Sequence, residues 1–243
     1  MSVNNFVWDE MKFFVSCLRS LPVSETLKLN DEAVCVFTNT PYENWVYYPN
    51  PEGDDESAGR AFEFFKERNV SFMWPVYNAE SLRHTELIHA GDLTAMCLES
   101  NHEAKYESNP SVTFKRIDSH SDAQLWANTA WRSFVADDDV PDTFREFTDA
   151  LIDAHEHLAL TAAMYEGEAA GAYINTIMGG VYYFGVLPEM RRRGIARAMM
   201  NEICRQNKRI TLQATRIGYS FYKSYGFTEL FKMPVYSNDP DIF

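Results

Sequence analysis

The sequence contains few cysteines, and their spacing suggests no covalent or metal-bound framework. Its 243 residues include four, with no CxxC pair among them. Disulfide scaffolds and cysteine-rich zinc sites need denser or paired cysteines. We therefore expect reduced, mostly buried thiols, as in a cytosolic protein, at Cys17, Cys35, Cys97 and Cys204.

Basic residues are also in short supply. Lysine and arginine number 22 against 35 aspartates and glutamates, which gives a formal net charge of −13. A chain of this charge repels phosphate backbones, which argues against nucleic acid as its main partner. The acidic balance favours a cationic small molecule or a basic peptide, and composition leaves the oligomeric state open.

Long apolar runs are absent as well. No stretch of the sequence is both long and apolar enough to span a bilayer, so no membrane partner is expected. Residues 1–21 include Asp9 and Glu10 and lack the basic start of a secretory signal. Together these absences predict a cytoplasmic protein.

The sequence does have ample apolar side chain for packed domains. Hydrophobic residues make up 46% and aromatic residues 14% of the chain, so wholesale disorder is not expected. The length suits two compact units. The composition becomes polar over Glu99–Pro110, and we place the domain boundary there. The prediction is an α/β lobe over 1–108 and a second domain over 109–243.

The first half is predicted to mix helices and strands. An apolar repeat from Phe6 to Leu18 indicates a helix that ends before Pro22. β-branched and aromatic runs indicate strands, two of them neighbours joined by a turn. The further elements predicted here are strands at 33–38, 44–48 and 71–76, a helix at 58–67, and a stretch at 82–98 that fits either type.

The second half has a clearer pattern, in the order β-α-α-β-β-β-α-β-α-β. Ser121 is predicted to cap the first helix and Pro141 to open the second. Glycine-containing turns join the three central strands into an antiparallel meander. Such elements pack as an α/β sandwich around a mixed sheet. The strands are predicted at 111–117, 158–165, 169–177, 181–187, 210–214 and 227–236, and the helices at 121–135, from 141, at 194–206 and at 216–225.

A candidate phosphate loop lies between an apolar strand that ends at Pro188 and a helix that starts near Gly194. The first N–H groups of a helix are unpaired and lie at the positive end of its dipole, so they bind anions. Arg191–Arg193 would cost roughly 0.3–1 kcal/mol per charge at that position unless an anion compensates. A solvated run of charges is the alternative interpretation of these arginines.

The stretch from Val186 to Ala196 resembles motif A of the GNAT superfamily of N-acetyltransferases, whose core is Arg/Gln-x-x-Gly-x-Gly/Ala. Here the core is Arg191-x-x-Gly194-x-Ala196. The resemblance implies a GNAT-like α/β (α+β) fold, with a mixed, mostly antiparallel sheet flanked by helices. It also implies that acetyl-CoA binds as cosubstrate. The implied coenzyme-binding residues are Phe184, Gly185, Val186, Arg191, Arg192, Arg193, Gly194, Ile195, Ala196 and Arg197.

A second signature follows about 25 residues downstream, at Ser220-Phe221-Tyr222-Lys223-Ser224-Tyr225-Gly226-Phe227. It resembles the Leu/Phe-Tyr-x-x-x-Gly-Phe helix of the same superfamily. The resemblance implies that Tyr222 is the general acid that protonates the departing thiolate. A phenol with its ordinary pKa near 10 carries the needed proton at neutral pH. The alternative is that Tyr222 only packs in the core.

The resemblance covers roughly Val112 to Tyr236, and the chain departs from it at several positions. Thr215 and Gly218 stand where many members have asparagine and alanine. The strand 181–186 lacks the glutamate that often serves as general base. The base is therefore unassigned, with loss of the amine proton to a water chain as one route.

Candidates for the acceptor side are weaker. By the same resemblance, Asp137, Asp138 and Asp139 lie between two helices that border the acceptor site and could hold a cationic amine, or they form a solvated loop. Trp131 could line that pocket or belong to the core. The pair His155 and His157 lacks a third ligand at suitable spacing, so no metal site is expected.

The first hundred residues contain no phosphate loop. Their pattern loosely resembles a degenerate GNAT lobe, and the alternative is an unrelated α+β domain. The sequence thus predicts an acetyl-CoA-dependent N-acetyltransferase that acts on a primary amine, a small molecule or peptide, by direct attack in a ternary complex. A non-catalytic acyl-CoA-binding sensor or regulator is the alternative.

Overall fold

A computed structural model describes residues 3–41, 43–52, 54–77, 82, 86–135, 139–153 and 156–242. The chain divides into two compact units. The first comprises Met1–Met96, Gln213–Lys223 and Glu229–Phe243, and the second comprises Cys97–Leu212 and Ser224–Thr228. The division into domains 1–108 and 109–243, made from the sequence, stays a prediction.

The first unit begins with a helix whose apolar stripe is fully buried. This helix, α1, carries Val7, Met11, Phe14 and Leu18 at spacings of three and four, and each is at most 1% exposed. The elements of the N-terminal part are α1 (Val3–Arg19), β1 (Glu25–Lys28), β2 (Val34–Phe37), β3 (Trp45–Tyr47), α2 (Asp55–Lys66), β4 (Trp74–Pro75) and β5 (Ile88–Glu99).

The second half of the chain contains the remaining elements in the predicted order. They are β6 (Val112–Arg116), α3 (His120–Phe134), α4 (Asp142–Asp153), β7 (Leu158–Tyr165), β8 (Glu168–Thr176), β9 (Val181–Val186), a 3-10 turn (Pro188–Met190), α5 (Ile195–Gln206), β10 (Arg209–Ala214), α6 (Tyr219–Tyr225) and β11 (Thr228–Ser237). The predicted order β-α-α-β-β-β-α-β-α-β is confirmed.

The strands of the described residues form three sheets. In the first unit β1-β2-β3 is antiparallel, and β4 pairs antiparallel with β11. The order of the second sheet is β10-β5-β11-β4, and its strands β5 and β10 continue into the second unit. The third sheet, β6-β7-β8-β9, lies in the second unit and is antiparallel throughout, which confirms the predicted meander.

The core of the first unit lies between α2 and the strands around it. Ala58, Phe62 and Phe65 of α2 pack with Phe72 and Trp74, and the rings of Phe65 and Phe72 stack with centroids 4.6 Å apart. Aromatic rings of this size supply much of the burial energy of a small core. The first unit therefore has a core of its own, and Tyr236 of β11 belongs to it.

Several predicted boundaries were wrong. Ser119, and not Ser121, is the N-cap of α3. Helix α2 starts at Asp55, three residues earlier than predicted, because the Asp54 carboxylate accepts a 2.9 Å hydrogen bond from the Ser57 amide. The ambiguous stretch 82–98 contains strand β5, and strand β1 was not predicted.

The four cysteines are free and buried, as predicted. Among the described residues, no helix is long and apolar enough to cross a membrane.

Candidate functional site

The candidate site is built where β9 leaves the sheet of the second unit. β9 pairs with β8, and the Leu187 amide extends this pairing by donating to the Ala170 carbonyl over 2.9 Å. The 3-10 turn at Pro188–Met190 then reverses the chain and leads to α5. The strand, turn and helix thus stand in the order that the phosphate-loop interpretation requires.

A β-bulge interrupts β9 just before this exit. Tyr183 and Phe184 lie opposite the single residue Tyr173, and Tyr183 has a φ of +50°. Such a bulge bends a strand and increases its local twist. Gly180, just before β9, forms an isolated parallel bridge with Thr211 of β10.

Gly185 has a packing reason as well as the predicted role in binding. A Cβ atom at this position would lie 2.6 Å from the Cβ of Ser133 and 3.0 Å from the ring of Phe134, both at the C-terminal end of α3. Contacts below 3.0 Å essentially never occur between such atoms. Glycine thus allows α3 to lie directly against β9.

The arginines of the loop have different surroundings. Arg191 donates from Nε to the Val186 carbonyl over 3.1 Å and from its guanidinium to the Ser133 carbonyl over 3.2 Å. Its charge thus lies at the C-terminal, negative end of the α3 dipole. The Arg193 guanidinium lies 5.5 Å from the Tyr165 ring centre, and that of Arg197 lies 5.1 Å from the Tyr106 ring. Which of them bind phosphate remains a prediction.

The backbone of the loop has the features of an anion site. Arg192 and Gly194 both have left-handed conformations, with φ of +65° and +79°. Gly194 is the N-cap of α5 and makes no side-chain cap hydrogen bond, and the first turn carries no acidic residue. The first four N–H groups of a helix have no intrahelical acceptor. This helix end therefore presents donors and a positive dipole to an anion.

Tyr222 lies in the first unit, where it is buried at 8% exposure. Burial raises the pKa of its phenol well above the ordinary value of 10.0. The ring lies against Gly218, because a Cβ atom there would be 2.9 Å from its Cε2 atom. Glycine stands at position 218, where many family members have alanine, because an alanine Cβ would clash with the Tyr222 ring.

We predict that Gly218→Ala lowers the free energy of unfolding by about 1–3 kcal/mol, because the added methyl group displaces the Tyr222 ring. Urea unfolding measures this loss. In a Tyr222→Ala background the same substitution should cost much less, since the ring is gone. Equal losses in the two backgrounds would contradict this steric account.

The acceptor-side candidates are only partly described. Asp137, Asp138 and His155 lie outside the described residues, and Asp139 is exposed. Trp131 is 7% exposed and its ring lies 5.3 Å from that of Phe144. Its surroundings are those of a core residue, and a role in an acceptor pocket stays a prediction. Within the described chain, no three His, Cys, Asp or Glu residues could together hold a metal ion.

The strand, turn and helix and the antiparallel meander have the arrangement of α/β proteins in which a helix N-terminus can bind an anionic ligand. Comparison with known families identifies one that part of this chain resembles. Residues 154–229 match the model of the family described as "Acetyltransferase (GNAT) domain". This segment is therefore similar to a GNAT acetyltransferase domain, and both predicted signatures fall within it. A search of curated proteins gave no match.

Solved structures agree with this fold. A GCN5-related N-acetyltransferase from Kribbella flavida matches with a TM-score of 0.64 at 13% identity, over 95% of each chain. One from Sphaerobacter thermophilus matches with a TM-score of 0.59 at 15% identity, over 87% of this chain and 81% of the other. A tandem GNAT protein from the clavulanic acid biosynthesis pathway has a TM-score of 0.57 at 9% identity, over 93% and 86%. The predicted GNAT-like fold is confirmed.

Proposed function

We propose that this protein is an acetyl-CoA-dependent N-acetyltransferase that acts on a primary amine. The observation that carries the proposal is the exposed N-terminus of α5, with its left-handed Arg192 and Gly194, inside the segment that matches the GNAT family. Acetyl-CoA would supply a thioester, which a neutral amine attacks directly in a ternary complex.

The residues of the loop fit the pyrophosphate of coenzyme A. The backbone N–H groups of the first turn of α5 offer hydrogen bonds, and Arg192, Arg193 and Arg197 add positive charge around them. A strongly acidic chain needs such a local excess to bind an anion, and seven of its 22 basic residues fall between Arg191 and Arg209. We assign the segment Phe184–Val186 of β9 to the pantetheine arm.

We assign to Tyr222 the proton that the leaving thiolate takes up. Its raised pKa keeps the phenol protonated at neutral and mildly alkaline pH, which a general acid requires. β9 contains no carboxylate, so no side chain is assigned as base.

A covalent acyl-cysteine is not part of this proposal. Burial raises the pKa of every thiol, to about 11 for Cys17 and Cys97 and to about 12 for Cys35, with the same direction for Cys204. The thiolate is the nucleophilic form, so these cysteines are unreactive at neutral pH.

For the acceptor we propose a cationic amine, either a small molecule or a peptide. The net charge of −13 attracts such a molecule, and Asp137, Asp138 and Asp139 are our candidates for its recognition. Carboxylates that pair with a second ammonium group would select diamines or basic peptides over simple amines.

We further propose that the first hundred residues are a degenerate GNAT lobe. The likeness to a tandem GNAT protein over 93% of this chain supports this proposal, as does the absence of a phosphate loop from that part of the sequence. Such a lobe would restrict the choice of acceptor rather than bind coenzyme.

The first experiment is calorimetric titration of coenzyme A and acetyl-CoA into the protein, followed by a thiol-release assay over a panel of amines. We expect micromolar affinity and acetylation of at least one cationic amine. Saturable binding without thiol release from any amine would favour a coenzyme sensor. No binding by folded protein would contradict both functions.

A further inference from the structure

The polar segment at the predicted domain boundary is hydrogen-bonded along α5. Its amides at Ser100 and Asn101 donate to the Lys208 carbonyl, just after the end of the helix, over 2.9 and 3.2 Å. Further along, the Tyr106 ring lies beside Arg197 of the first turn of α5. All these residues belong to the second unit. We call residues 105–111 the connector.

Asn201 fixes the middle of the connector from within the protein. It is fully buried on α5, and its Nδ2 donates to the Tyr106 carbonyl over 2.8 Å and to the Ser108 hydroxyl over 3.1 Å. Its Oδ1 accepts from the Tyr106 amide and from the Tyr225 hydroxyl, over 3.3 and 2.6 Å. A buried amide whose donors and acceptor are all used holds its partners in one arrangement.

The end of the connector reaches the phosphate loop through Asn109. Its Nδ2 donates to the Arg193 carbonyl over 2.9 Å, although the two residues are 84 positions apart. Its Oδ1 accepts from the Ser111 amide over 2.9 Å, which makes a local Asx turn. The side chain is therefore oriented by its own backbone before it contacts the loop.

Holding the Arg193 carbonyl also sets the direction of a donor in the loop. In a trans peptide the C=O and the following N–H lie in one plane and point in opposite directions. The hydrogen bond from Asn109 thus turns the Gly194 N–H away from the connector. Because glycine at +79° can rotate more freely than other residues, an external contact is needed to fix this peptide plane.

We propose that Asn109 is a positioning residue that orients the Arg193–Gly194 peptide so that the Gly194 N–H can donate to a coenzyme phosphate. This inference rests on the proposed function. It assigns to the connector a part in coenzyme binding, in addition to joining two parts of the chain.

The test compares Asn109→Ser with wild type by calorimetric titration of coenzyme A. Serine keeps an acceptor for the Ser111 amide but is too short to reach the Arg193 carbonyl. We expect the dissociation constant to rise about tenfold. The exposed Asn128, on α3, provides the matched control Asn128→Ser, which should leave the affinity unchanged.

A second pair of variants covers a failure of the first to fold. Asn109→Asp keeps the Asx turn but places a carboxylate oxygen against the Arg193 carbonyl, and Asn128→Asp adds the same charge elsewhere. We expect Asn109→Asp to weaken binding more than Asn109→Ser, and Asn128→Asp to have little effect.

The readout separates positioning from a purely structural role. A structural role would lower the melting temperature while folded protein kept its affinity, whereas positioning raises the dissociation constant at constant fold. In 15N NMR spectra, the Gly194 amide signal should differ between Asn109→Ser and wild type before coenzyme is added. Wild-type affinity in the Asn109 variants overturns this inference alone, while no binding by wild type overturns the proposed function with it.

Discussion

Replacing Gly194 with valine should raise the dissociation constant for coenzyme A about 100-fold. The residue has a φ of +79°, which costs a non-glycine residue about 1–2 kcal/mol and a β-branched residue more. The loop will relieve this strain by moving the N–H groups at the N-terminus of α5. Each hydrogen bond to a charged group contributes about 1.5–3 kcal/mol, so misplacing one or two accounts for the loss.

Gly167 provides the matched control for this substitution. It has a similar φ, +90°, and a Cβ atom there would meet nothing within 4 Å, so Gly167→Val introduces comparable backbone strain without a clash. It lies in the turn between β7 and β8, outside the coenzyme loop. We expect both variants to lose similar thermal stability and only Gly194→Val to lose affinity. Equal affinities in calorimetric titration would show that the helix N-terminus does not bind the coenzyme.

Tyr222→Phe should lower kcat at least about 100-fold with any amine that the wild-type protein acetylates, because the leaving thiolate loses its proton donor. The KM for acetyl-CoA should change little, since the phenol acts on the departing group. Steady-state kinetics by thiol release measure both constants. An unchanged kcat would remove Tyr222 from the proposed chemistry.

The pH dependence of the rate tests the direction of the pKa shift at Tyr222. A general acid works in its protonated form, and burial raises the pKa of Tyr222 above its ordinary value of 10.0. The wild-type rate should therefore show no fall from this group below pH 10. Tyr219→Phe is the control on the same helix. Its hydroxyl donates to Glu229 over 2.7 Å, so its loss should leave kcat near that of wild type.

The local sequence pattern was enough to predict some of the helices and strands, and not others. The order of the second half and the start of α5 at Ile195 follow from apolar periodicity and from glycine at the helix boundary. The ambiguous stretch 82–98 could not be assigned because its neighbours in the sheet, β10 and β11, lie more than a hundred residues away in the chain. Partners that distant leave no local signal.

In the candidate site too, some features follow from neighbouring residues and others depend on contacts between distant residues. The sequence by itself determined a helix N-terminus with arginine, glycine and alanine at the spacing of motif A, because those features depend on adjacent residues. Only the tertiary structure decided that Arg191 donates to the Ser133 carbonyl and that Asn109 holds the Arg193 carbonyl. These contacts join residues 58 and 84 positions apart, and a single polar side chain in a polar stretch gives no sign of which distant carbonyl it will meet once the chain has folded.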